Sequence, residues 1–171
     1  MPREISTLLR QNLEEPRSSE YIVILLDLEH STLAEPIRIA NDVVAYVYEG
    51  NTYLGFPFEF ELIGDLTRVP RGRLRIQNVD RQIGESILEL VTSPQLTITM
   101  LASSDFSEAL TGGKRMPVGT PVVEYQAQHL IFGNISVDAM AIAGEIVSFD
   151  MGNEPWPAIR TTADRLPGLD P

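Results

Sequence analysis

The sequence predicts a mainly β protein, a β-barrel or sandwich with an N-terminal helix and one short internal helix. Short apolar or alternating runs recur along the 171 residues, separated by Gly, Pro, Asn and Asp, a pattern typical of about seven strands. Helical spacing of apolar residues is confined to 3–15 and to the segment after Asp80, so helices are expected only there.

The clearest strand signal lies between Gly50 and Val91. Apolar and polar residues alternate along 56–62 and again along 73–77, the period of a half-buried strand. If these strands pair as a hairpin, acidic residues of the first face basic residues of the second, and each pair contributes about 0.2–1 kcal/mol. The candidate structural ion pairs are Glu59, Glu61, Arg73 and Arg75.

A short helix is predicted after this hairpin. Asn78 and Asp80 are both suitable caps, because each side chain can accept bonds from free first-turn amides. The apolar stripe consists of Ile83, Ile87, Leu90 and Val91, and Pro94 ends the helix.

Other strands are predicted from continuous apolar runs or from alternation of apolar and polar residues. Tyr21–Leu28 is nearly all apolar and is predicted to be buried on both faces. Further strands are predicted at 37–40, 43–48, 53–63, 96–101, 122–135 and 141–149, with Gly50-Asn51 turning 43–48 into 53–63. Residues 103–121 are predicted to form a long exposed loop with Gly112-Gly113-Lys114-Arg115 at its tip.

The chain is predicted to hold one globular domain with two arms. The N-terminal helical arm covers 1–19, the β domain 20–152 and a Pro-rich C-terminal arm 153–171. The last segment has four prolines and spaced apolar residues, among them Trp156, Leu166 and Leu169. Such a segment either wraps its own domain or docks on a neighbour.

Composition excludes several function classes. A chain without cysteine forms no disulfide, thiolate metal site or cysteine-held iron–sulfur cluster. The net charge of −11 argues against broad nucleic-acid or anionic-membrane binding. No apolar run approaches the roughly 18–20 residues that span a membrane, and no signal peptide is expected at the charged N-terminus.

No group of residues predicts an active site, a metal site or a cofactor. His30 and His129 are the two histidines, and they are expected to lie at a strand end and on the surface. The Gly-Gly-Lys-Arg run lacks the spacing of a phosphate-binding loop. Trp156 could stack on a sugar ring, but a core-sealing or interface role fits its proline-flanked position better.

An ordered series of short motifs carries more information than any one of them. The series is Gly50-Asn51-Thr52-Tyr53, Phe56-Pro57-Phe58-Glu59, Asn78-Val79-Asp80-Arg81 and Asn153-Glu154-Pro155-Trp156-Pro157. It resembles a family of tail proteins of long-tailed bacteriophages and prophages that is catalogued as a domain of unknown function. It is also similar to the N-terminal part of the lambda-type minor tail protein L. Some of those relatives carry a cysteine-ligated iron–sulfur cluster, which a cysteine-free chain cannot hold.

The resemblance implies a β-barrel related to tail-tube and distal-tail proteins, with no enzymatic activity. It implies a homo-oligomeric ring of three or six copies in the virion, at the tail tip, assembled after synthesis in the host bacterial cytoplasm. The implied partners are the tail tube protein and the tail hub proteins, with DNA only passing through the lumen. The candidate inter-subunit contacts are Leu8, Leu9, Lys114, Arg115, Trp156, Leu166 and Leu169.

Two other function classes fit parts of the sequence. A monomeric β-sandwich module could bind carbohydrate through Trp156 and the 103–121 loop, although an aromatic content of 7% is low for that role. A small hydrolase would need two acids converging in a pocket, and the predicted Glu–Arg pairing argues against it.

Overall fold

The computed structural model describes residues 7–15, 20–63, 71–77, 82–88, 90 and 92–148. These form eleven strands in one mixed sheet, two α-helices and one 3₁₀ turn. In chain order they are α1 (Thr7–Glu14), β1 (Ile22–Glu29), β2 (Ile37–Ala40), β3 (Ala45–Tyr48), β4 (Asn51–Gly55), β5 (Phe58–Ile63), β6 (Arg71–Gln77), α2 (Gln82–Leu88), β7 (Gln95–Ala102), η1 (Ser103–Asp105), β8 (Phe106–Thr111), β9 (Lys114–Pro117), β10 (Val123–Val137) and β11 (Ala141–Ser148).

The predicted mainly β class is confirmed, but the sheet does not close into a barrel. Its strand order is β5-β6-β11-β10-β7-β1-β2-β4-β3-β9-β8, so β5 and β8 are the edge strands. Neighbours are antiparallel except for two parallel pairs, β2 with β4 and β3 with β9.

The larger of two cores lies on one face of the β5-to-β2 part of the sheet. We call it the aliphatic core: Leu26, Leu28, Ile39, Phe58, Leu74, Ile76, Ile87, Leu96, Ile98, Leu130, Phe132, Ile142 and Ile146. Phe58 of β5 and Ile39 of β2 share this core although five other strands lie between β5 and β2 in the sheet. The sheet therefore curls around this face. A Cβ at Gly144 would lie 2.6 Å from Cε2 of Phe132, and the glycine therefore makes room for that ring.

The smaller core lies on the opposite face of β1. We call it the tyrosine core: Val23, Leu25, Ala40, Tyr46, Tyr48, Tyr53, Leu101 and Phe106. Val23 and Leu25 pack here, whereas Leu26 and Leu28 pack in the aliphatic core. The prediction that this strand is buried on both faces is confirmed.

The predicted single strand at 53–63 is wrong, because the chain changes partners at Phe56-Pro57. β4 pairs with β2 and β3, while β5 pairs with β6. Pro57 has no N–H to continue a ladder; Phe56 N–H instead donates to the carbonyl of Ala40, and Phe58 N–H to Oδ1 of Asn41. The turn before β4 is Glu49-Gly50, one residue earlier than predicted, with φ of 50° and 77°.

The predicted exposed loop at 103–121 is also wrong. This segment contains η1 and the antiparallel β8–β9 hairpin, which turns at Gly112-Gly113 with φ of 61° and 78°. Positive φ at both turn residues suits a two-residue hairpin and is easily adopted by glycine. The hairpin went unrecognised because mostly polar side chains on an exposed edge hide the two-residue period.

The pairing of β5 with β6 confirms the predicted hairpin. Glu59 lies opposite Arg75, and Glu61 lies opposite Arg73. Leu96 and Ile98 of β7 are buried in the aliphatic core, and both predicted helices are present. The predicted caps Asn78 and Asp80, and the C-terminal arm at 153–171, lie outside the described residues.

Candidate functional site

The main candidate site is a patch of exposed apolar side chains around η1. Five residues form it: Tyr21, Ile22, Val118, Val122 and Val123, each 38–63% exposed. We call this set the η1 patch. Exposed apolar residues scattered singly are normal on a soluble protein, whereas several of them near one turn make this end of the sheet a candidate interaction surface.

Backbone hydrogen bonds hold the patch together. Tyr21 N–H donates to Oγ of Ser103 at 3.0 Å, and Ser103 N–H donates back to the Tyr21 carbonyl at 2.9 Å. Val118 N–H donates to the Asp105 carbonyl at 2.8 Å, and Val122 N–H to Oδ2 of Asp105 at 3.0 Å. Two chain segments distant in sequence, one at Tyr21 and one at 118–122, are thus attached to one three-residue turn.

Strand pairing places the other two members at the same end of the sheet but on opposite faces, since Val123 lies opposite Leu101 of the tyrosine core whereas Ile22 alternates with Val23 of that core. Ile22 pairs with Ala102, and Val123 pairs with Leu101, at the end of β7 that leads into η1. The patch therefore occupies the end of the β1–β7–β10 strands, beside the tyrosine core. Its rim carries acidic residues of neighbouring segments: Glu20, Asp105, Glu108 and Glu124.

Lys114 and Arg115 are not at a mobile loop tip, as the sequence suggested, but in β9, paired with β3. Lys114 Nζ donates to Oγ1 of Thr52 at 3.0 Å. The Arg115 guanidinium lies 5.8 Å from the centre of the Tyr46 ring, and its buried Nε has no hydrogen-bond partner. Both cations thus contribute to the fold of the hairpin, and their predicted contact with a neighbouring subunit stays a prediction.

A chain of hydroxyl groups links the η1 patch to the tyrosine core. Tyr46 Oη donates to Oδ2 of Asp42 at 2.6 Å, which leaves it to accept from Tyr21 Oη at 3.1 Å. Burial raises the pKa of Tyr46, and its hydrogen bonds with Asp42 and Tyr21 raise it further. The edge of Phe106 packs against the same ring, with centroids 4.9 Å apart.

Asp27 forms a second polar cluster beneath the tyrosine core. Arg38 Nε donates to the Asp27 carboxylate at 3.2 Å, forming an ion pair, and Tyr53 Oη donates to the same carboxylate at 3.0 Å. Burial raises the pKa of Asp27, while the Tyr53 hydrogen bond and the Arg38 charge offset part of that rise. Burial also raises the pKa of Tyr53. With each polar group partnered, this cluster is structural.

A polar cleft of about 590 Å³ lies at the opposite end of β1 and contains His30. The His30 Nδ1 accepts from Thr32 N–H at 3.2 Å, and Nε2 contacts Oγ1 of Thr92 at 2.6 Å. The neutral tautomer with hydrogen on Nε2 satisfies both contacts. His30 thus ties the loop after β1 to the segment before β7, a structural role at the strand end that the sequence predicts.

The described residues contain no group of three or more His, Cys, Asp or Glu that could hold a metal ion. Within the same residues, no helix is long and apolar enough to cross a membrane. His129, with φ of 58°, is exposed at an irregularity in the pairing of β10 with β7.

The structure describes only some of the predicted contact residues. Trp156, Leu166 and Leu169 lie outside the described residues, as do the side chains of Leu8 and Leu9. The sequence does not predict the η1 patch, since its members come from two segments that lie far apart in the chain. The Val-Gly-Thr-Pro-Val run at 118–122 was the one available signal, because Val118 is apolar in a segment predicted to be a polar loop and Val122 directly follows that segment.

The described residues form a mainly β domain with exposed apolar side chains around η1. The chain belongs to the family described as a domain of unknown function, DUF1833, whose model matches residues 8–161. The match contains all eleven strands. No curated protein matches the chain.

Proposed function

We propose that this protein is a structural component of a bacteriophage tail tip, where it forms a ring that joins the tail tube to the central hub and takes part in tail assembly. The ordered motif series between Gly50 and Arg81 supports this proposal through its resemblance to tail proteins. Membership of an uncharacterised domain family is compatible with it. In this proposal the protein is not an enzyme.

The observation that carries the proposal is the η1 patch. Its apolar side chains lie beside β8, an edge strand of an open sheet, so a neighbour can bury side chains and meet unpaired backbone at one place. A contact that joins unlike surfaces of identical subunits closes into a ring when the rotation between neighbours divides a full turn, and otherwise forms an open filament; the proposal requires the first case. Three copies would suit a hub-adjacent position and six a tube-adjacent one.

The acidic surface fits a ring through which DNA passes. With 24 acidic and 13 basic residues, the protein repels a polyanion rather than retaining it. We propose that carboxylates line the lumen. Mapping charges onto the assembled ring tests this, and a neutral or basic channel wall would exclude it.

The carbohydrate-binding alternative has less support. The His30 cleft is lined by Glu29, His30, Ser31, Leu33, Pro36, Thr92, Ser93 and Gln95, none of which offers the aromatic face of Phe, Tyr or Trp. A stacking role would rest on Trp156, outside the described residues.

Cryo-electron microscopy of intact tails tests the proposed function. We expect density for three or six copies in a ring between the tail tube and the hub, into which the eleven-stranded sheet fits. Absence of the chain from purified tail particles would overturn the structural role. Glycan-array binding by the isolated protein would then favour the alternative.

A further inference from the structure

A second exposed surface lies on the outer face of β4, β3 and β9. Tyr46 and Tyr53 of these strands point into the tyrosine core, so the residues that alternate with them lie on the other side of the sheet. The strand register places Ala45 beside Lys114 on that side. We call this surface the Lys114 face, and its members are Ala45, Val47, Thr52, Leu54, Lys114 and Met116.

The larger apolar side chains of the Lys114 face are exposed in the single chain. Leu54 is 48% exposed and Met116 is 37% exposed. Arg115 faces the Tyr46 ring, so Met116 next to it faces outward. Leu54 pairs with Ile39 of the aliphatic core, and the Lys114 face therefore continues the aliphatic side of the sheet beyond the edge of that core.

Charge distinguishes the Lys114 face from the rest of the chain. Strands β3, β4 and β9 contain two basic residues, Lys114 and Arg115, and no acidic residue. The excess of acidic over basic residues, 24 against 13, therefore lies wholly outside these three strands. Among the described residues, no carboxylate lies within ion-pair distance of Lys114 Nζ. A cation on an apolar face favours an acidic partner surface.

The Lys114 face does not complement itself. A two-fold contact needs a self-complementary surface, and two copies of a face that carries a cation and no carboxylate repel each other. The partner surface has to be acidic and in part apolar. With a net charge of −11, another copy of this chain supplies acidic surface.

A surface with both properties lies beside η1. Val118 and Val122 are 63% and 54% exposed, and the backbone N–H of each donates to Asp105. Because the Asp105 carboxylate accepts the Val122 bond, the exposed Glu108 in β8 is the better placed carboxylate for a neighbour. We call these four residues the Glu108 surface.

The Lys114 side chain extends away from Glu108 of its own chain. Its Nζ donates to Oγ1 of Thr52 in β4 at 3.0 Å, on the β3 side of β9, whereas β8 lies on the other side of β9. The hydrogen bond thus holds the ammonium group over the Lys114 face, where a carboxylate of a second molecule can approach it.

We infer that the Lys114 face of one copy packs on the Glu108 surface of the next copy, with Lys114 paired to Glu108. Leu54 and Met116 meet Val118 and Val122 in the apolar part of the contact, and the ion pair fixes the orientation of the two surfaces. The contact joins unlike surfaces, as a ring requires. The inference rests on the proposed function in one respect, since the ring supplies the neighbouring copy.

Carbodiimide cross-linking of the full-length protein tests this contact, because Lys114 is the only lysine of the chain. The reagent joins an amine to a carboxylate in contact with it as an amide and takes up the water that is lost. Unlabelled and isotopically labelled protein are mixed in equal amounts before assembly, and the linked peptides are identified by mass spectrometry. Lys114→Arg is the matched control, since it keeps the charge but has no side-chain amine.

We expect Lys114 to be linked to Glu108, with about half of these links joining a labelled to an unlabelled chain, as random mixing of copies in a ring requires. Lys114→Arg should lack these peptides. Links found only within single chains would overturn the inference, and so would links between chains that join Lys114 to other carboxylates.

A charge-swap pair tests the ion pair by a second route. Lys114→Glu should weaken association about tenfold in sedimentation experiments, because it places a carboxylate opposite Glu108. Lys114→Glu combined with Glu108→Lys should recover most of the loss, with circular dichroism showing that both variants are folded. A double variant that associates no better than Lys114→Glu would contradict the pairing.

Sedimentation of the wild-type protein, measured in parallel, separates the two proposals. A ring in which Lys114 forms no link to Glu108 of another chain would overturn this contact and leave the tail-tip ring in place. A monomer under conditions in which tails assemble would overturn both.

Discussion

The aliphatic core and the tyrosine core lie on the same sheet but are built from different chemistry. The aliphatic core has thirteen buried residues, none with a polar side-chain atom. The tyrosine core has eight, of which Tyr46, Tyr48 and Tyr53 carry hydroxyl groups that need partners when buried. Asp42 and Asp27 accept bonds from Tyr46 and Tyr53.

This difference has a structural consequence. An aliphatic core needs only apolar side chains of suitable volume at every second strand position, and curling of the sheet closes it off from water. A tyrosine core needs polar groups from other segments, so its margin stays partly open to water. The η1 patch lies at that margin, where Tyr21 reaches the Tyr46 hydroxyl. The part of the sheet that is harder to seal is therefore also the part with exposed apolar side chains around η1.

The largest expected effect comes from Phe132→Ala in the aliphatic core. Phe132 is fully buried against Gly144, and the curled sheet cannot collapse into the space, so unfolding free energy should fall by about 3–5 kcal/mol. Urea denaturation measures it. Phe106→Ala in the tyrosine core should cost less, because the edge hairpin β8–β9 can move inward. An equal or larger loss for Phe106→Ala would break the comparison.

Gly113→Val should have an intermediate effect, on the hairpin that covers the tyrosine core. Gly113 has φ of 78°, and a β-branched residue in left-handed backbone costs about 1–2 kcal/mol. Thermal or urea unfolding measures the loss. Gly113→Asn is the matched control, since asparagine tolerates this conformation, and it should retain most of the stability. Similar losses for both variants would show that the turn conformation does not limit stability.

Tyr46→Phe should have the smallest effect at neutral pH, about 0.5–1.5 kcal/mol for the lost hydrogen bonds. The pH dependence is more specific. The pKa of Tyr46 is raised above its ordinary 10.0 in the folded protein, so the unfolded chain loses this proton first and stability falls as pH rises above 10. Tyr46→Phe lacks this contribution.

The unfolding free energies of the wild type and Tyr46→Phe should therefore approach each other above pH 10. The pKa of Tyr53 is raised in both proteins. Urea unfolding at neutral pH and above pH 10 measures the two differences. A gap that stays constant or widens at high pH would contradict the buried hydroxyl network.

Two hairpins show which parts of the fold can be predicted from the sequence. The sequence predicts the β5–β6 hairpin, with the acidic and basic residues on one face, because both strands alternate clearly. The structure adds the register, in which Glu59 lies opposite Arg75. The β8–β9 hairpin was mistaken for a loop, although Gly112-Gly113 marks its turn. Its side chains are mostly polar and exposed, so no hydrophobic period distinguishes strand from loop.

By itself the sequence determined the mainly β class, both helices, the double-sided burial of β1 and the pairing of β5 with β6, because each depends on apolar periodicity or on neighbours in the chain. Only the tertiary structure decided that the sheet stays open, that the chain changes partners at Phe56-Pro57 and that Tyr21, Val118 and Val122 meet around η1. Those features depend on contacts between segments far apart in sequence, and a local pattern carries no information about which distant backbone groups will pair.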